Sequence, residues 1–174
     1  MEKRKWTGRV FIGMSVDGFI ARLDDDLEWL TSRGDQAGDT GFDSFMATID
    51  HMVMGRGTYE KVLESGFWAY DGKRILVLSS TLESTDPRIE VVRSMAEVRN
   101  VLDASAHGVY VDGGQVVQAF LREGLIDELT ISRVPVLIGE GKPLFGALPE
   151  DIDLTLVENL TLGAGLTQAR YRVA

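Results

Sequence analysis

Three times along this chain an apolar run of strand-forming residues breaks into small polar residues. Val53-Met54 leads into Gly55-Arg56-Gly57-Thr58, Leu76-Val77-Leu78 into Ser79-Ser80-Thr81, and Tyr110-Val111 into Asp112-Gly113-Gly114-Gln115. Short apolar runs without alternation are strands buried on both faces, and such strands require helices above and below a mostly parallel sheet. The segments between them supply those helices. Phe42, Phe45, Met46 and Ile49 recur at helical spacing, Thr58 to Ser65 and Met95 to Leu102 read as helices, and Val116, Val117, Phe120 and Leu121 form another apolar face. From Leu125 the beat changes. "IDELTISRVPVLIG" reads as a long strand, and "IDLTLVENLTLGAGLTQARYRV" as two antiparallel strands joined near Gly163–Gly165.

The expected fold is therefore a three-layer α/β/α arrangement around a central mixed, mostly parallel sheet with antiparallel C-terminal strands. No internal repeat, low-complexity tract or linker divides it, so one domain over residues 1–174 is expected. One long connection, from Asp17 to about Gly41, is a candidate lid, since connections of that length usually cover or bind something.

Charge narrows the partners. Eighteen Lys and Arg against 27 Asp and Glu give 18 − 27 = −9, which disfavours nucleic acid and anionic membrane as partners and makes any anion site a local one. There is no cysteine, which excludes disulfides and thiolate metal sites and suits a cytoplasmic protein. No leader-like segment or run of roughly 20 apolar residues is present. His51 and His107 match no metal-ligand spacing, and Asp24–Asp26 reads as a solvated loop face, so no metal is expected.

Ligands of an open α/β sheet bind beyond the carboxyl ends of its strands, where the three polar turns lie. Helix N-termini there present unpaired amides to a phosphate. Gly113-Gly114 lets a backbone approach a pyrophosphate, while Arg56 with Ser79 and Ser80 suits a ribose 2′-phosphate. The ligand these features fit is NADPH. No G-x-G-x-x-G follows the first strand and no G-x-x-x-x-G-K-[ST] occurs, so an ordinary Rossmann domain or P-loop is disfavoured. Trp29, Phe42, Phe45 and Tyr59 are aromatics near this cleft able to stack on a planar heterocycle. In Ser15-Val16-Asp17-Gly18, Asp17 is either a buried acid or the first residue of a plain Asp-Gly turn.

The stretches "VMGRGTYE", "VLSST" and "VYVDGGQVVQAFLREGLIDELTISRVPVLIGEGKPLF" resemble the dihydrofolate reductase superfamily, in particular the branch of the C-terminal reductase domain of the riboflavin-pathway deaminase–reductase. The resemblance runs from "MSVDGFIA" to the final strand pair. It implies an NADPH-dependent reductase acting on a pterin-, pyrimidine- or flavin-precursor-like small molecule, and a homodimer. By motif, Gly55, Arg56, Gly57 and Thr58 would meet the adenosine-side phosphates, and Ser79, Ser80 and Thr81 the adenine ribose phosphate. Gly113, Gly114, Gln115, Val116 and Val117 would meet the pyrophosphate, while Asp17, Gly18 and Ile20 border the nicotinamide and substrate. Asp17 is the first choice of catalytic acid, with Asp39, Asp43 or water as the others. The remaining readings are an NADPH-binding redox sensor without turnover and a dihydrofolate reductase proper.

Overall fold

The computed structural model describes residues 4–174 and builds the expected beat. Strand β1 (Thr7–Ser15) is followed by β2 (Phe19–Ala21) and helices α1 (Glu28–Gly34) and α2 (Phe42–Met46). Then come β3 (His51–Gly55), α3 (Arg56–Ser65), β4 (Arg74–Leu78), β5 (Ile89–Val92), α4 (Met95–Ser105), β6 (Gly108–Asp112) and α5 (Gly114–Arg122). The chain ends in β7 (Glu128–Val134), β8 (Lys142–Pro143), β9 (Leu154–Thr161) and β10 (Thr167–Val173). Eight strands form one sheet in the order β5-β4-β3-β6-β1-β7-β10-β9. Neighbours from β5 to β7 are parallel, while β10 runs antiparallel to both β7 and β9.

The central strands are buried on both faces because each side chain in turn enters a different core. Val53, Leu76, Val109 and Val111 pack against Val98 and Leu102 of α4 and Val117 and Phe120 of α5. Met52, Met54, Ile75, Val77 and Tyr110 point the other way, toward Met46 of α2 and Tyr59 of α3. This two-sided burial explains why these runs read as continuous rather than alternating.

The long connection is more ordered than expected. It contains β2, which pairs with the two-residue β8, and α1, whose Trp29 packs with Ala37, Val134 and Leu166. The strand expected to run through "RVPVLIG" stops at Val134, and the chain beyond it leads to β8 beside β2.

At the opposite ends of the strands the two histidines meet on one carboxylate. His51 Nδ1 lies 2.8 Å from Asp50 Oδ1, His51 Nε2 lies 3.0 Å from Ser105 Oγ, and His107 donates its backbone N–H to Asp50 Oδ2 at 3.0 Å. The carboxylate also accepts from Gly108 N at 3.3 Å, so it ties the start of β3 to the start of β6. Burial pushes the Asp50 carboxyl up, but hydrogen bonds from His51 and His107 outweigh it and hold it below its ordinary value. Its stabilisation is thus present above the ordinary carboxylate pKa and is lost as pH falls through the lowered one. Asp50→Ala leaves several donors unpaired and is expected to cost about 2–3 kcal/mol, read as a lower urea midpoint with unchanged slope. A midpoint within error of wild type would refute this role.

Candidate active site

The C-terminal ends of β1, β3, β4 and β6 open onto one cleft of about 1130 Å³. That lies just above the roughly 300–1,000 Å³ usual for a pocket that takes one small ligand.

Two helices start in its wall. The first amides of α3 and α5 make no backbone bond, since the bonding of each helix begins one turn later, as when Val117 N donates to Gly113 O at 2.9 Å. Both N-termini therefore aim partial positive charge into the cleft. Gly113 starts α5 with φ 96°, a conformation that L side chains avoid, and a Cβ there would lie 2.8 Å from Thr58 Oγ1. The glycine thus lets the two helix starts approach one another.

Arg56 opens α3, half exposed, with Nε donating to Glu60 at 2.7 Å and Nη1 to Thr81 Oγ1 at 3.1 Å. On the other side of the Ser79–Thr81 turn, Arg93 donates through Nη1 to Ser79 O at 2.9 Å and through Nη2 to Glu83 at 3.1 Å. Two arginines thus bracket the turn that sequence reasoning assigned to one. Arg93 was missed because it follows β5 by a single residue and only the sheet order β5-β4-β3 brings it there. Lys61, Arg122 and Lys142 also line the cleft, so five cations border it, of which Arg56, Lys61, Arg93 and Lys142 each pair with a carboxylate. In a chain of net charge −9, the cleft thus gathers five of the 18 basic side chains, which an anionic ligand entering there would meet.

Asp112 stands at the end of β6 in the floor of the cleft, beside Phe11, Ile12, Gly13 and Tyr110. Burial raises its carboxyl to about 6, and the hydrogen bond from Gly113 N, 2.9 Å away, opposes that rise only in part. It is the carboxyl of this cleft poised to exchange a proton near neutrality. The sequence placed Asp112 in a glycine turn; the enclosing Phe11 and Tyr110 come from separate positions in the sheet, and no local pattern carries that.

Asp17 departs from expectation. It is exposed, lies outside the cleft lining, and accepts hydrogen bonds from Ile138 N at 3.3 Å and Gly139 N at 2.8 Å. A hydrogen bond from Ser15, reinforced by those amides, holds its carboxyl below the ordinary value, the opposite of what a buried proton donor needs. Asp39 and Asp43 are likewise exposed and away from the cleft, Asp39 accepting from Gly41 N at 2.8 Å in a turn.

Of the residues expected to contact a dinucleotide, Ile20, Gly55, Arg56, Gly57, Thr58, Ser79, Ser80, Thr81, Gly113, Gly114, Gln115 and Val116 all border the cleft. Gly18 does not, and the Val117 side chain belongs to the core beneath α5. Two of the four aromatics expected to touch substrate are core residues: Trp29 is buried under α1, and Tyr59 is buried with its hydroxyl 3.0 Å from Asp86. Their helices turn those faces to the sheet. Phe42 and Phe45 stack around Phe11 and Tyr110 with ring centroids 5.0–6.3 Å apart, so they support the cleft floor instead of lining it.

Comparison with known proteins gives one answer. Residues 7–168 match the RibD C-terminal domain. The chain is 32% identical over 153 residues to the uncharacterized protein YwjB of Bacillus subtilis, covering 84% of this chain and 87% of that protein. A putative riboflavin biosynthesis protein from Shewanella sp. PV-4 superposes with a TM-score of 0.88 at 35% identity, covering 97% of this chain and 99% of that one. RibD of Acinetobacter baumannii shares the fold at 18% identity and a TM-score of 0.73, with 99% of this chain matching 59% of that longer one.

Proposed function

This chain belongs to the RibD C-terminal domain family, and on that premise we propose that it is an NADPH-dependent reductase. Its substrate would be a planar heterocycle of the pterin, pyrimidine or flavin-precursor class, reduced at a C=N or C=O carbon, as in the 5-amino-6-(5-phosphoribosylamino)uracil reductase step of riboflavin synthesis. The observation that carries this reading is the joining, in one cleft, of two helix N-termini, a turn bracketed by Arg56 and Arg93, and the raised carboxyl of Asp112. The likeness to the putative riboflavin biosynthesis protein of Shewanella supports the pathway assignment.

NADPH fits these residues: Arg56, Arg93 and the Ser79–Thr81 turn would hold its 2′-phosphate, and the N-termini of α3 and α5 its pyrophosphate. When bound it supplies the hydride. The chain's own part is to orient the ring, to shield the reaction from water beneath the lid, and to offer the Asp112 proton to the heteroatom beside the reduced carbon. The reading as a dihydrofolate reductase proper is less favoured, since Asp39 and Asp43 are both exposed and away from the cleft. The test is titration with NADPH, then absorbance at the nicotinamide band with aminopyrimidines, pterins and flavin precursors. Oxidation dependent on one of them supports the proposal; failure to bind NADPH would sink it.

The proposal extends to assembly. All eight residues of the edge strand β9 are exposed, with Leu154, Leu156, Val157 and Leu160 at 40–55%. A long apolar edge invites pairing, and a second copy of this chain completes it as a homodimer. Sedimentation should show a two-chain species that Leu156→Asp converts to one chain; a wild-type monomer would refute it. No helix among the described residues is long and apolar enough to cross a membrane. The acidic chain is proposed to work in the cytoplasm on small molecules, without nucleic acid or membrane partners.

A further inference from the structure

Two loops more than a hundred residues apart form one roof over the cleft. Val16 N donates to Val136 O at 3.0 Å, and Leu144 N to Gly18 O at 3.2 Å. Strand β2 pairs with β8 through Phe19 with Pro143 and Ala21 with Lys142. Farther out, Asp25 forms an ion pair with Lys142, and both line the cleft. The roof also rests on the phosphate-binding end: a Cβ on Gly114 would lie 2.5 Å from Pro143 O and 3.3 Å from the Ile20 side chain.

At the root of this roof is Asp17. Its two carboxylate oxygens each take one amide of the second loop, Ile138 N and Gly139 N, and Ser15, which bonds the same carboxylate, also accepts Phe19 N at 3.0 Å through its hydroxyl. This carboxylate, accepting one amide on each oxygen, is a side-chain anchor joining the end of β1 to the loop after β7. We infer that Asp17 is a positioning residue, the clasp that makes residues 16–27 and 135–144 move as a single lid over the reductase cleft.

This inference rests on the reductase reading for its consequence in catalysis, but the clasp itself is testable without it. Amide exchange on the intact chain should show Ile138 and Gly139 exchanging about tenfold faster in Asp17→Ala, with Phe19–Ala21 and Lys142 accelerating alongside. Asp17→Asn keeps one acceptor oxygen and should stay nearer wild type at Gly139. In turnover, Asp17→Ala should raise the KM for NADPH and substrate and speed NADPH release, while the pH midpoint of kcat stays where wild type has it. Unchanged exchange at Ile138 and Gly139 would overturn the clasp. Loss of the titrating limb in Asp17→Ala would overturn it too, since Asp17 would then be the acid. If wild type binds no NADPH, the proposed function falls, and the exchange experiment still decides the clasp.

Discussion

Asp112→Asn is expected to lower kcat by roughly 10²–10⁴-fold, the usual contribution of a positioned general acid, with NADPH affinity unchanged. The amide fills the same space and still accepts from Gly113 N, so the cleft keeps its shape, but it holds no transferable proton. The wild-type rate should be highest below about 6 and fall with one-proton steepness as pH rises through the raised carboxyl. The residual rate of the variant should be flat over the same range. Stability moves the other way. A folded-state pKa of about 6 lies above the ordinary carboxylate value, so this group favours the folded state only at low pH, and that benefit disappears as pH rises through 6. Above it, the charged carboxylate in a partly enclosed site costs on the order of 2 kcal/mol. Asp112→Asn should therefore unfold at higher urea than wild type at pH 8 and at nearly the same concentration at pH 4. A variant that turns over at full rate, or that is less stable than wild type at pH 8, rules out this role.

The contrast between Asp112 and Asp17 shows which parts of the site were legible in advance. The layer order could be read because two-sided burial writes continuous apolar runs into β3, β4 and β6, and the polar turns follow from where those runs stop. The helix starts at Gly55–Thr58 and Gly113–Val116 could be read because unpaired amides and glycines are local features. Roles that depend on distant partners could not. Asp17 meets amides 121 and 122 residues away, so the sequence around it offers only a turn or an acid. The two-residue β8 carries no pattern of its own and exists because β2 lies beside it. Tyr59 and Trp29 failed as substrate contacts for a related reason: helical spacing shows that a face is apolar without saying whether the sheet or the cleft receives it.

Arg56→Ala should weaken NADPH about 10–100-fold, the equivalent of about 1.5–3 kcal/mol for one lost charge-assisted hydrogen bond, while NADH affinity changes little. The guanidinium is already in place without ligand. Its Nε is already held by Glu60 at 2.7 Å and its Nη1 by Thr81 at 3.1 Å, so the side chain is set beside the Ser79–Thr81 turn before any phosphate arrives. Such preorganisation reduces the ordering cost of binding, but Glu60 also competes with an incoming phosphate for the same cation. Glu60→Gln removes that competition and should tighten NADPH more than NADH. Arg93→Ala should act in the same direction as Arg56→Ala, because its guanidinium is likewise held beside the turn, by Ser79 O and Glu83. The double variant should lose less than the sum, since both arginines act on one phosphate. The NADPH preference should also shrink with added salt, because both guanidiniums are solvent-exposed. Equal losses for NADPH and NADH in Arg56→Ala would mean that the arginine reads the shared phosphates, and the bracketed turn would no longer account for cofactor choice.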